Sequence, residues 1–432
     1  MPATFNGAGN GQIPWSNEVW KALDQAVIEE MARTRVGARF LPLVNLPKKQ
    51  VTVEADVVVV PTTAAAAKAG TKFDPALSID ESQTNRIQEF WTMFRLSAAQ
   101  VAAEEHEDVQ TSNQTAANPP LVPAADGHAV TSLAHRAGTA VSLALRAANV
   151  LAQAEDLVLF NGQNAVVNSP LFTGQNVQYL DKDLSVDLGC GLLNIQPAQP
   201  SASSSENNIL LPVNQVISVH PSALGAAGSP PRYAENTLNA VSQGFSNLQG
   251  LGHYENYALI LHTIPYADIH QALPNTLIEP VEPISHLVKA GVYGTGALPP
   301  FVSVAPGSTP GSAVVPSGLP TGLPTGIIAP ATSSTPAGTA LLSSIAQFNS
   351  SPLLLPAGSA LRAAAVLYTG VLVSLSGNTM DLVRGVMDDS LEVMVTFNQK
   401  DQNEQYRFSV VQRFALRLKD PTAVILLLFL DS

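Results

Sequence analysis

The chain has 432 residues, 46% hydrophobic and 13% charged, which is enough for two or three cores or one large elaborated domain. With 22 basic against 34 acidic residues the net charge is −12 and no Lys/Arg block stands out, which argues against a surface that binds nucleic acid by counterion release. One cysteine, Cys190, rules out a disulfide framework within the chain and favours a cytoplasmic setting, where it reads as a small apolar side chain.

Met1–Gly7 has no basic stretch followed by an apolar core, so no secretory signal is expected. Pro14–Glu18 reads as a helix start, with Ser16 or Asn17 as the cap and Glu18 at the positive end of the helix dipole. Trp20, Leu23, Val27, Ile28 and Met31 then recur at three- and four-residue spacing, predicting a helix that ends near Gly37. Phe40–Val44 and Val51–Val60 are rich in β-formers and read as extended. The small-residue run Thr62–Gly70 suggests a loop, and Arg86–Val101 resumes as strand or mixed structure.

Thr111–Pro120 is a loop by composition. Ala129–Phe160 is the strongest helix signal, Ala-rich with Leu133, Ala137, Val141, Leu145, Ala148 and Ala152 spaced for one buried face, ending near Asn161-Gly162. Asn161–Pro212 is polar and has no clear period. A helix is predicted over Pro230–Leu248, a buried strand over Tyr257–His262 and a short helix over Tyr266–Leu273. Pro299–Pro336 holds nine prolines among repeated Pro-Ser-Gly-Leu and Pro-Thr-Gly-Leu units. Proline fixes φ and removes donors, so this stretch reads as an exposed insertion, either a surface decoration or a passive loop.

From Thr369 to Phe429 polar and β-branched or aromatic residues alternate, predicting paired strands of one sheet with a turn at Gly377-Asn378. Ala423–Phe429 reads as a buried strand. The apolar run Ala423–Leu430 is far shorter than the about 20 residues of a membrane helix.

Motifs for chemistry are few. There is no Gly-rich phosphate loop ending in Lys-Ser or Lys-Thr, no dinucleotide fingerprint and no Gly-x-Ser-x-Gly elbow, so neither a cofactor nor catalysis is expected. Glu104–Asp108 is the densest group that could share a divalent ion, but its spacing matches no His-Glu-x-x-His helix or calcium loop, so it reads as a solvated acidic patch and no metal site is expected. His128 and His135 read as surface or capping residues. The segment Gln249, Gly250, Leu251, Gly252, His253, Tyr254, Glu255 and Asn256 is a glycine-hinged polar loop between a helix and a buried strand, either a functional loop or a plain connection.

Four collinear blocks resemble encapsulins, the bacterial and archaeal nanocompartment shell proteins. They are Pro14, Trp20, Asp24, Gly37, Arg39 and Phe40; Ala147–Asp156 with Leu159–Gly162; Gly252–Leu259; and Gly370–Leu428. The resemblance implies an α+β fold of the tailed-phage major-capsid type. It divides the chain into an N-terminal helix and start of the peripheral domain (1–60), an extended loop (61–100), a peripheral domain with a spine helix at 129–160 (101–230), an axial domain with a Pro/Gly-rich insertion at 299–357 (231–375), and a return to the loop base and peripheral sheet (376–432). Residues beyond a minimal encapsulin fall around Val109–Val130, Asn164–Pro230 and Phe301–Leu355.

The resemblance also implies icosahedral self-assembly of a cytoplasmic compartment around a cargo enzyme held by a short targeting peptide, with no membrane partner. Gln249–Asn256 would line a pore, with His253 and Glu255 biasing the passage of small solutes, and Met31, Phe40 and Leu43 would form the apolar wall of the cargo-peptide groove. The alternative on the same fold is a phage or prophage capsid protein that packages nucleic acid in a virion.

Overall fold

The structure, a computed structural model, describes residues 13, 15, 17–47, 52–54, 57–59, 78–80, 84–102, 138–162, 169–174, 176–179, 191–193, 196–197, 210–211, 215–222, 232–273, 277–298, 366–375, 379–385, 393–400 and 405–430. The expectations for Thr62–Gly70, Glu104–Asp108, Thr111–Pro120, His128, His135, Cys190, Pro299–Pro336 and the Gly377-Asn378 turn lie outside these residues. So does the 129–137 part of the long helix.

The helices are α1 (Asn17–Thr34), α2 (Gly37–Phe40), α3 (Thr139–Asn161), α4 (Pro170–Thr173), α5 (Ala234–Gly250), α6 (Thr263–Ile269) and α7 (Val281–Leu287). The first ten strands are β1 (Leu43–Leu46), β2 (Thr52–Glu54), β3 (Val57–Val59), β4 (Ser78–Asp80), β5 (Thr84–Arg86), β6 (Gln88–Ser97), β7 (Gln178–Tyr179), β8 (Gln196–Pro197), β9 (Leu210–Leu211) and β10 (Val216–Val219). They are followed by β11 (Tyr257–His262), β12 (Gly291–Thr295), β13 (Val366–Ser374), β14 (Met380–Gly385), β15 (Val393–Lys400), β16 (Gln405–Leu418) and β17 (Val424–Leu430). The fold is α+β.

Two sheets organise the molecule. In the first, β1-β14-β16-β6-β7 run side by side, and β15 shares the β14 edge of β16. Strand β16 is long enough to pair β15 along Tyr406–Gln412 and β14 along Phe414–Leu418, with β6 on its other side. The second sheet has the order β10-β17-β13-β11-β12.

Helix α1 buries Trp20, Leu23, Val27 and Met31, as the spacing predicts, and exposes Lys21, Gln25 and Glu29. It lies between α3 and β15. Phe408 of β16 sits in a nest of aromatic rings, with Trp15 at 5.1 Å, Phe94 at 5.2 Å, Phe397 at 5.7 Å and Trp20 at 6.1 Å between centroids. The Trp15 indole N–H also donates to the Val101 carbonyl at 2.9 Å. These contacts fasten the N-terminal segment to the sheet.

Phe40 departs from its expected extended conformation. It closes the helical turn α2, because the buried Asp156 carboxylate accepts from the N–H groups of Val36 (2.9 Å) and Gly37 (2.8 Å) and so caps that turn. Space at Gly37 is also tight, since a Cβ there would press on the end of the buried Leu159 side chain and force it to shift. The second buried carboxylate, Asp24 of α1, accepts from Val395 N–H of β15 at 2.7 Å.

Burial pushes the pKa of Asp156 up to about 7 and that of Asp24 up to about 6, against the opposing effect of these backbone donors. Each group binds its proton more tightly in the fold than in the unfolded chain. Their joint contribution to stability is therefore full below about pH 4 and is lost as pH rises through 6 and 7. Thermal melts at pH 5, 6, 7 and 8 are expected to show Asp156→Asn losing part of the gain the parent protein makes on acidification. An unchanged pH slope in the variant contradicts the assignment.

The C-terminal segment corrects the expectation of one sheet. Strands β13 and β17 belong to the second sheet, whereas β14, β15 and β16 lie in the first. Period-two alternation marks strands and their faces but carries no information on which sheet each joins. That is decided by partners far away in sequence, β11 for β13 and β6 for β16. The buried strand near 423–429 is present as β17, covered on both sides. Val424, Leu426, Leu428 and Leu430 join the main core, while Ile425, Leu427 and Phe429 join a second core beneath α5, α6 and α7.

The expected helix at 230–248 is α5, starting at Ala234 because Asp268 accepts from the N–H groups of Tyr233 and Ala234. The short helix expected at 266–273 begins earlier, as α6, where His262 Nδ1 caps Ile264 N–H at 3.3 Å. Strands β2 with β5 and β3 with β4 form successive antiparallel ladders of one arm rising from β1 and β6. Its base rests on the first sheet, where Val53 packs with Ile87, Val383 and Ala415.

Candidate functional site: the loop between α5 and β11

Helix α5 ends in a Schellman motif. Gly252 N–H donates to the Gln249 carbonyl at 3.0 Å and His253 N–H to the Leu248 carbonyl at 2.9 Å, with Gly252 at φ +95°. No heavy atom lies within 4 Å of a Cβ built on Gly252, so the demand for glycine is conformational. Asn256 turns the chain into β11 at φ +53°, and its carbonyl accepts from Leu375 N–H at 2.9 Å.

Within this frame the eight predicted pore-loop residues separate into two groups. Gly250, Leu251, Gly252, Tyr254, Glu255 and Asn256 are exposed, Tyr254 at 66%, and Gln249 is half-buried. His253 is buried and faces away from solvent. Its Nε2 lies 2.9 Å from Thr422 Oγ1 and 3.7 Å from Asp420 Oδ2, and its carbonyl accepts from the Tyr257 hydroxyl.

Thr422 gives its one hydroxyl proton to Asp420 Oδ1 at 2.6 Å, so the His253 Nε2–H donates to Thr422 Oγ1. Burial holds the His253 pKa below the ordinary histidine value, and Asp420 pulls it the other way. Gln215 Nε2 completes the lock by donating to the Thr422 carbonyl at 2.6 Å. His253 thus ties the loop to the turn between β16 and β17, and the side chains presented to solvent include Leu251, Tyr254, Glu255 and Asn256. Sequence reasoning missed Asp420, Thr422 and Gln215. The Asp-Pro-Thr turn signal at 420–422 was available, but the histidine lies 169 residues away in sequence.

The three residues of the predicted cargo groove are not gathered on one open surface. Met31 is fully buried within the core, Phe40 is buried against the Tyr293 ring at 5.8 Å, and Leu43, at the start of edge strand β1, is 44% exposed. Among the described residues no group of three or more His, Cys, Asp or Glu side chains is placed to hold a metal ion. No described helix is long and apolar enough to cross a membrane.

No protein-family model matches the chain, and no curated protein matches it. Solved structures do. A virus-like particle from Pyrococcus furiosus aligns over 95% of this chain and 99% of its own at 11% identity and a TM-score of 0.44. A phage-related protein from Bordetella bronchiseptica RB50 aligns over 94% and 96% at 10% identity and a TM-score of 0.40. The mature capsid of bacteriophage PhiM1 aligns over 91% and 87% at 7% identity and a TM-score of 0.38.

Proposed function

We propose that this chain is a structural shell subunit that assembles with many copies of itself into an icosahedral compartment enclosing a cargo enzyme, without catalysis of its own. The observation that carries this reading is where the four encapsulin-like blocks fall. The N-terminal block forms α1 and α2, and the second block forms the C-terminal half of α3, against which α1 and α2 pack. The third forms the exposed loop and β11, and the last supplies strands to both sheets. The peripheral unit is then α1, α2, α3 and the first sheet, the axial unit is the second sheet with α5, α6 and α7, and the arm of β2 to β5 is the extended loop.

In this reading Gln249–Asn256 lines an opening at a symmetry axis, where Tyr254 and Glu255 rather than His253 meet passing solutes. Of the proposed groove residues, Leu43 is the one available to a cargo tail. Assembly follows from many modest interfaces per subunit acting together.

Purified protein is expected to elute as a single very large species and to show closed particles by electron microscopy at physiological salt. A monomer or small oligomer would contradict the proposal. The contents of the particles separate the two forms of the reading. An enzyme identified by mass supports a compartment, and nuclease-protected nucleic acid supports a phage capsid.

A further inference from the structure

The two ends of α7 carry surfaces of opposite character. Just ahead of its start, Leu277 is 97% exposed and Ile278 is 54% exposed. The Ile278 carbonyl accepts from Leu273 N–H at 3.1 Å and Pro280 is buried, so this segment is pinned with its two apolar side chains in water. Glu279 follows them, and the exposed Glu282 stands in the first turn of α7. Neither carboxylate is in an ion pair with a described residue.

Beyond the other end, Lys289 is exposed. The Tyr293 hydroxyl donates to the Ala290 carbonyl at 2.8 Å and stands 3.5 Å from the carbonyl of Arg39, which brings the chain at 289–290 alongside α2. The exposed Arg39, whose guanidinium donates to the Arg33 carbonyl, therefore shares one surface with Lys289. Among the described residues neither cation is in an ion pair. The half-buried Tyr293 ring and the exposed Pro42 supply apolar area beside them, and Tyr with Arg are residue types that anchor interfaces.

The first surface offers two apolar side chains and two carboxylates, the second a ring, a proline and two cations. Joining them removes apolar area from water and pairs charges of opposite sign. One subunit cannot join its own pair of surfaces, because the rigid α7, about 10 Å long, stands between them. The partner that carries the complement is a second copy.

Building on the shell reading, we propose that Leu277, Ile278, Glu279 and Glu282 of one copy dock on the surface at Arg39, Pro42, Lys289 and Tyr293 of a second, with Glu282 against Lys289. The contact joins different patches on the two copies, so it is heterologous, and repetition about a rotation axis closes a ring.

The test compares the parent protein with Leu277→Ser, Lys289→Glu, Glu282→Lys and the last two combined, following assembly against protein concentration by light scattering and native mass measurement. Leu277 is almost wholly in water and Lys289 is exposed, so for these two variants the melting temperature of the unassembled subunit is expected to stay within about 2 °C of the parent. Each single variant is nevertheless expected to raise the concentration needed for assembly by about tenfold, and the charge-swapped combination to return it to within about threefold of the parent.

Leu277→Ser assembling at the parent's concentration, or the combination assembling no better than Lys289→Glu, overturns the contact. Variants that assemble as the parent does but lose an enclosed enzyme also overturn it, making the face a cargo surface instead. A parent protein that stays monomeric overturns the shell reading itself, which is a different result from a parent that assembles alongside its variants.

Discussion

Phe408→Ala is expected to cost about 3–5 kcal/mol of subunit stability, the range for truncating a large aromatic in a packed core. The side chain is fully buried and touches four aromatic rings, among them Trp15 and Trp20 on the N-terminal segment. The loss therefore falls on the join between α1 and the first sheet as well as on the sheet itself. Urea unfolding at one fixed protein concentration measures it, because assembly makes apparent stability depend on concentration. Hydrogen exchange should show α1 losing protection before β6 and β16 do. A loss under about 1 kcal/mol would show that the ring cluster relaxes to fill the space.

Arg384→Ala should be comparably damaging for an electrostatic reason. The Arg384 guanidinium lies 3.4 Å from Glu155 Oε1, and Gln412 Nε2 donates to Glu155 Oε2 at 2.9 Å. Glu155 has no solvent exposure, so removing the cation leaves a carboxylate in the core with one amide for company. Breaking a buried pair from one side costs about 3–5 kcal/mol, whereas replacing both charges is often close to neutral. The paired variant Glu155→Gln with Arg384→Met keeps an acceptor for Gln412 and is expected to retain most of the lost stability. Equal urea midpoints for Arg384→Ala and the paired variant would sink this account.

Much of the local structure was legible in the residues. The face of α1 could be read from Trp20, Leu23, Val27 and Met31, and β11 was expected at its observed limits. Both signals are local, a 3.6-residue period in one case and an uninterrupted apolar run in the other. Helix starts were less legible, since α2, α5 and α6 begin where Asp156, Asp268 and His262 accept backbone protons. The first two of these caps come from another part of the chain.

The candidate site divides in the same way. Sequence alone determined that a glycine-hinged loop joins α5 to β11, because a helix ending in Gly-Leu-Gly before an apolar run has few other outcomes. It also determined that Val424–Leu430 is buried, since seven consecutive apolar residues have no polar face to offer solvent. Tertiary structure decided which loop side chains face outward. His253 turns inward because Thr422, itself held by Asp420, accepts its Nε2–H from the turn between β16 and β17, which leaves Tyr254 and Glu255 at the surface. It likewise decided that Met31 and Phe40 are core residues while Leu43 is not, and that β13 and β17 leave β14, β15 and β16 for the second sheet. A residue's type and spacing fix what it can bury or bond, but the partner that completes the contact is supplied by the fold.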